Sequence, residues 1–152
     1  GEDLQFTGLP FFAPEMFQSV ELADPMRAKQ LKLGLKQLGE EGAIQVFETM
    51  TGGLLLGAVG QLQFEVVASR LQAEYGVDAV YAPADIHTVR WLTFPDEAIR
   101  RQFEREQQMR LATDVDGNPV YLAPNRYNLE LLMEKWPKLG FHATREHGQR
   151  FG

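Results

Sequence analysis

Residues 54–81, LLLGAVGQLQFEVVASRLQAEYGVDAVY, constrain the fold more than any other stretch of the chain. Positions 54–59 form a short apolar run of strand length that ends in a glycine-punctuated turn. A helix starts near Gln61, with Phe64, Val67, Ala68, Leu71 and Tyr75 on one face and Glu65, Ser69 and Gln72 on the other. Gly76 ends it, and 77–81 reads as a further strand. A helix with one apolar face between two strands needs a sheet to lie on, so a layered mixed fold is expected.

The flanking sequence extends this pattern. Positions 15–22 read as a strand, and Asp24 caps a helix that has Pro25 in its first turn. Ala28, Leu31, Leu35 and Leu38 give that helix its apolar face, and Gly39 and Gly42 are expected to stop it. Positions 43–50 form a strand that Gly52-Gly53 turns back into 54–59. The first half therefore has the order βαββαβ, the ferredoxin-like arrangement. After Pro83, 86–94 reads as a strand and Asp96 caps a helix with Ile99 and Phe103 inward. Positions 109–115 are expected as a strand, Asp116-Gly117 as a hairpin turn and 120–122 as the returning strand. Asn125 caps a last helix with the stripe Leu129, Leu132, Met133 and Trp136, and 141–144 closes the chain as a strand. The predicted class is α+β: a ferredoxin-like first half, with a second half of similar βαββαβ order packed against it. The pattern leaves open whether the halves share one sheet or form two.

Composition removes several functional classes. The chain has no cysteine, which rules out disulfides and thiolate metal sites. Its net charge of −6 argues against a broad basic surface for non-specific nucleic-acid binding, but not against a local basic face. No apolar run approaches the roughly 20 residues that span a bilayer, and no signal peptide is visible.

A search for chemistry finds little. GAVG is followed by Gln61-Leu62, not by the Lys-Ser/Thr of a phosphate loop, so Gly60 is read as permitting a tight strand-to-helix turn. His142 and His147 are five residues apart and share neither a helix face nor a strand face; His87 is the third histidine. Structural or interface roles fit them better than metal binding. Ser19 and Ser69 are the only serines, and neither sits in a nucleophile motif. Two basic groups remain. Lys29, Lys32 and Lys36 form a stripe beside the apolar face of the first helix with no acid interleaved on it. Arg100, Arg101 and Arg105 share their helix with Glu97, Glu104 and Glu106, and i,i+4 spacing pairs Glu97 with Arg101 and Arg100 with Glu104. The lysine stripe is thus the better phosphate-contact candidate, set against the ordinary reading of a solvated helix face.

FTGLPFFAPEMF, GEEGAIQVFE, GGLLLGAVGQLQFEVVASRLQAEYGVDA, VRWL and FHATREH together resemble the domain that follows the β-barrel in the ribosome-bound translational GTPases. Arg70, Leu71, Glu74, Tyr75, Val77 and Ala79 fit that family's helix-to-strand pattern. The resemblance is strongest to the C-terminal domain of the bacterial peptide chain release factors of class II, and it runs from about residue 5 to 148. It implies a non-catalytic, cofactor-free domain of a cytoplasmic factor that binds GTP and GDP on an N-terminal domain absent from this chain. It further implies that the whole factor drives class I release factors off the ribosome. This domain is then expected to dock on the small subunit, on its rRNA and protein, and to pack on the GTPase and barrel domains, with no membrane involved. Lys29, Lys32, Lys36, Arg101, Arg105 and Arg145 are the candidate ribosome contacts. On this pattern 1–13 is a linker or the end of the preceding barrel, 14–83 and 84–147 are two subdomains, and 148–152 is a flexible tail. The alternatives are another translational GTPase, such as an elongation factor G relative or a ribosome-protection protein, and a ferredoxin-like regulatory module for a small ligand.

Overall fold

A computed structural model of the chain describes residues 10–146. Residues 1–9 of the expected linker, His147 and the expected tail at 148–152 lie outside the described residues. The elements are β1 (Pro10–Phe12), β2 (Met16–Leu22), α1 (Ala28–Glu40), β3 (Gln45–Thr49), β4 (Leu54–Ala58), α2 (Gln61–Tyr75), β5 (Ala79–Pro83), β6 (Thr88–Thr93), α3 (Glu97–Gln107), β7 (Leu111–Thr113), β8 (Pro119–Ala123), α4 (Arg126–Lys135), β9 (Gly140–His142) and β10 (Thr144–Glu146). From β2 to β5, and again from β6 to β9, the order is βαββαβ. The fold is α+β.

The two halves share one sheet. Its eight strands run β5-β2-β4-β3-β7-β8-β6-β9, so each half has the ferredoxin-like order and the halves meet edge to edge at β3 and β7. The seam is short, with Glu48 opposite Thr113 and Thr49 opposite Ala112. Directly opposed residues share a face. Glu48 lies on the Val46 face and Thr113 on the Leu111 face. Val46 packs with Leu35, Leu38, Val67 and Leu71 of α1 and α2, and Leu111 packs with Phe103, Leu129 and Leu132 of α3 and α4. All four helices therefore cover the same side.

The other side carries Phe17, Phe47, Leu55, Val89, Trp91, Ala112, Val120 and Leu122, drawn from both halves and buried in one cluster without helix cover. The chain between β5 and β6 explains how. A flat sheet would put these strands six spacings apart, roughly 29 Å at about 4.8 Å each. Pro83 to Thr88 is five Cα steps, which reach at most about 18 Å. The sheet must curl around its helix-free face, and the connection is held at both ends, Ala84 N–H to Phe17 C=O at 2.9 Å and His87 N–H to Ala123 C=O at 2.8 Å. The β1–β10 ribbon adds Phe11 to this cluster. Pro14 lies against Gly57, where an added Cβ would come within 2.5 Å of the proline ring.

Local expectations fail in several places: the strand expected at 141–144 breaks at Ala143 into β9 and β10, and Ala28, expected on the apolar face of α1, is exposed. Asp24 accepts from Met26 N–H, but it starts a separate 3-10 turn at Pro25–Arg27 before α1 begins. Gly39 lies inside α1 because Val115 fills the space its Cβ would need; Gly42, at φ +82, is the residue that ends the helical path. Gly60 has extended backbone (φ −153) with open space beside it, so no tight turn requires glycine there. Met109 and Arg110 belong to a 3-10 turn, and β7 starts at Leu111. Met133 is 41% exposed because α4 turns only Leu129 and Leu132 fully onto the sheet.

Candidate docking surface

Helix α1 presents two different faces. Leu31, Leu35 and Leu38 are buried against the sheet, while Gly34 lets Leu71 and Tyr75 of α2 pack close, within 2.9 Å of where a Cβ would stand. Outward, Lys29, Leu33 and Lys36 are exposed in i, i+4, i+7 succession, with Met26 at 87% exposure just ahead of them. An exposed leucine bracketed by lysines suits a surface that is polar and apolar by turns. Lys29 and Lys36 make no ion pair among the described residues. Lys32 does: its Nζ is 3.4 Å from Glu48 Oε2 on β3. The stripe is free of acids along the helix, as its sequence shows, but the sheet beneath supplies one. Lys32 and Lys36 also border a cavity of about 220 Å³ at the seam, floored by Val46, Leu54 and Thr113.

The arginines of α3 are more nearly neutralised. Arg100 Nε is 3.0 Å from Glu104 and Arg101 Nε is 3.8 Å from Glu97, the two i,i+4 pairs expected from spacing. Arg100 also lies over the Phe94 ring at 5.2 Å. Arg105 is exposed and makes no ion pair among the described residues.

Arg145 is not available as a contact. It is 4% exposed, with Nε 2.8 Å from Asp114 Oδ2 and Nη2 3.0 Å from Asp116 Oδ2. Its guanidinium lies 4.5 Å from the Phe11 ring and 6.0 Å from that of Trp91. Asp114 is in turn held by Trp91 Nε1–H (3.0 Å), Asn118 Nδ2–H (3.2 Å) and the N–H groups of Asp116 and Asn118 (2.9 Å each). The terminal ribbon is clasped in this way to the β7–β8 hairpin, where Gly117 takes φ +84. In the same FHATREH segment, His142 Nε2 sits 3.0 Å from Thr93 Oγ1 on β6, a contact that fastens β9 to its neighbour.

The residues that fit the helix-to-strand pattern also have structural work. Arg70 joins Glu41, just past α1, at 2.8 Å and Glu74 on its own helix at 2.8 Å. These bonds raise the Arg70 pKa and draw that of Glu74 below its ordinary value. The Tyr75 hydroxyl donates to Gln37 of α1. Among the described residues no three His, Asp or Glu side chains converge on a possible metal position, and no helix is long and apolar enough to cross a membrane.

Sequence reasoning passed over Arg90 and Arg126, which border a larger cavity beside β6. The signal was present: Arg90 alternates with Leu92, which puts a charge at a position facing the helix layer.

Comparison with known proteins identifies the family. The family model described as "Class II release factor RF3, C-terminal domain" matches residues 6–133. A peptide chain release factor 3 from Aromatoleum aromaticum is 66% identical over 150 residues, covering 99% of this chain and 27% of that protein. One from Nitrosomonas eutropha is 55% identical over 148 residues, covering 97% and 28%. The chain thus spans only about a quarter of the length of these relatives. By sequence match, this chain belongs to the class II release factor family as its C-terminal domain.

Proposed function

We propose that this domain is the non-catalytic docking module of a GTP-dependent peptide chain release factor 3. It meets the small ribosomal subunit, packs on the GTPase and barrel domains, and lets the factor eject class I release factors during termination in the cytoplasm. GTP and GDP are bound on an N-terminal domain outside this chain. In the same reading 1–13 leads in from the barrel, its last residues held on this domain by the β1–β10 ribbon; 14–83 and 84–147 are two subdomains on one shared sheet, and 148–152 is a tail.

The outward face of α1 carries the proposal. Lys29 and Lys36 supply cations to phosphates while Leu33 and Met26 offer apolar contact to a ribosomal protein. A small cationic face on a chain of net charge −6 favours one mode of approach and repels the rest of an anionic particle. Arg101 and Arg105 of α3 are secondary candidates; Arg145, being buried, is not one.

The test is sedimentation of the labelled chain with small subunits across a salt series. Lys29→Glu with Lys36→Glu should abolish salt-sensitive binding, and Lys32→Gln, which leaves the Glu48 carboxylate unpaired beside the face, should weaken it without abolishing it. Binding that survives the double reversal removes α1 from the contact.

A further inference from the structure

Strand β6 is bordered differently along its two halves. It pairs with β8 along Thr88–Trp91, but β9 covers the opposite edge only at Trp91–Thr93. Beside the first half of β6 lies a cavity of about 510 Å³ between β6 and α4. His87, Thr88 and Arg90 line one side of it, and Arg126, Leu129, Glu130 and Met133 line the other.

Arg90 is unusual among the cations of this chain. It is partly buried, and no carboxylate pairs with it among the described residues. Its Nη1 donates to Val89 C=O at 2.8 Å and to Thr88 Oγ1 at 3.2 Å, while Nε and Nη2 bond to no other described residue. Burial, and after it the charge of Arg126, push its pKa down. A partly desolvated guanidinium held near a second one is stabilised by an anion placed between them. Arg126 is only loosely engaged, 3.5 Å from Glu130 with both side chains exposed. Glu15 also borders the cavity and makes no ion pair there among the described residues.

We propose that this cavity binds a phosphodiester of single-stranded RNA between Arg90 and Arg126, with the Thr88 hydroxyl as a further donor and a base resting on Leu129 and Met133. The site is separate from the α1 face. It rests on the docking reading only for the identity of the polymer. Arginine forks match phosphate oxygens in pairs, and aliphatic walls accept the flat face of a base. Glu15 and Glu130 oppose binding, so the anion must displace Glu130 from Arg126.

The test uses the full chain, amide NMR and two probes, a short oligouridylate and inorganic phosphate. The oligonucleotide should shift the amides of Thr88–Arg90 and Arg126–Asn128, with a log–log salt slope of about −0.7 for one phosphate contact. Arg90→Gln should weaken binding about tenfold, as expected for one lost charge-assisted hydrogen bond. Arg126→Gln, exposed on the first turn of α4, gives the same direction without risk to the fold, and Glu15→Gln should tighten binding. Unchanged affinity in both arginine variants, or shifts confined to α1, would overturn the site. Inorganic phosphate binding as tightly as the oligonucleotide would overturn the RNA assignment. Oligonucleotide binding at this cavity in a chain that fails to sediment with ribosomes supports the site and counts against the docking reading alone.

Discussion

Replacing Arg145 with methionine isolates the clasp that holds the terminal ribbon. Methionine keeps most of the apolar stem and removes the charge. The guanidinium lies 2.8 Å from Asp114 and 3.0 Å from Asp116, and the side chain is 3% exposed. Breaking a buried pair costs about 3–5 kcal/mol, because the remaining charge stays desolvated. Asp114 keeps four other donors, from Trp91, Asn118 and two backbone N–H groups. The cost of Arg145→Met therefore falls at the low end, about 3 kcal/mol. At roughly 3 °C per kcal/mol for a domain of this size, Tm drops by about 9 °C. Asp114→Ala should cost more. It strips the acceptor from the Trp91 indole and the hairpin backbone, and it deprives a buried guanidinium of its nearer carboxylate. Asp116→Asn should cost only about 1 kcal/mol, since Asp116 is 25% exposed and partly solvated. Urea unfolding followed by tryptophan fluorescence and by circular dichroism measures all three. A loss under about 1 kcal/mol for Arg145→Met, or a milder effect for Asp114→Ala, would refute a buried clasp that matters to folding.

Two glycines in the same motif should respond in opposite directions. Gly57→Ala drives a Cβ to 2.5 Å from Pro14 and should destabilise by roughly 1–3 kcal/mol in urea titration. Gly60→Ser, at an uncapped helix start with open space, should stabilise by a few tenths of a kcal/mol. The Glu74 pKa is lowered in the fold by its hydrogen bond from Arg70. Its contribution to stability is therefore present above the ordinary glutamate pKa and is lost as pH falls through the lower folded value. Carboxyl-carbon NMR should show the Glu74 midpoint rising in Arg70→Gln; an unmoved midpoint would contradict the assigned cause.

The parts legible in sequence are those fixed by local rules. Asp96 and Asn125 read as caps, and their side chains accept from Ile99 N–H at 2.8 Å and Asn128 N–H at 2.7 Å. The αL positions of Gly76 and Gly117 followed from glycine after a helix and within a hairpin. What stayed hidden depends on partners far along the chain. The seam uses two opposed pairs contributed by residues about sixty apart, too few to leave a periodic trace. Arg145 sits on a short strand among polar neighbours, and its buried partner Asp114 is thirty-one positions earlier. The exposure of Lys29 and Lys36 could be read from helical spacing, whereas the Lys32–Glu48 contact needs knowledge of which strand lies beneath α1.

The β1–β10 ribbon has a mechanical consequence. Its register sets Pro10 opposite Glu146 and Phe12 opposite Thr144, so the outer ends of both strands leave from the same side. Tension applied through those ends opens the ribbon as a zipper, one pair at a time, and does not shear all its bonds together. The Arg145 clasp, at the middle pair opposite Phe11, is then the first firm stop. A pull on the ends should peel away a few residues at low force and be arrested there, before the curled eight-stranded sheet carries any load.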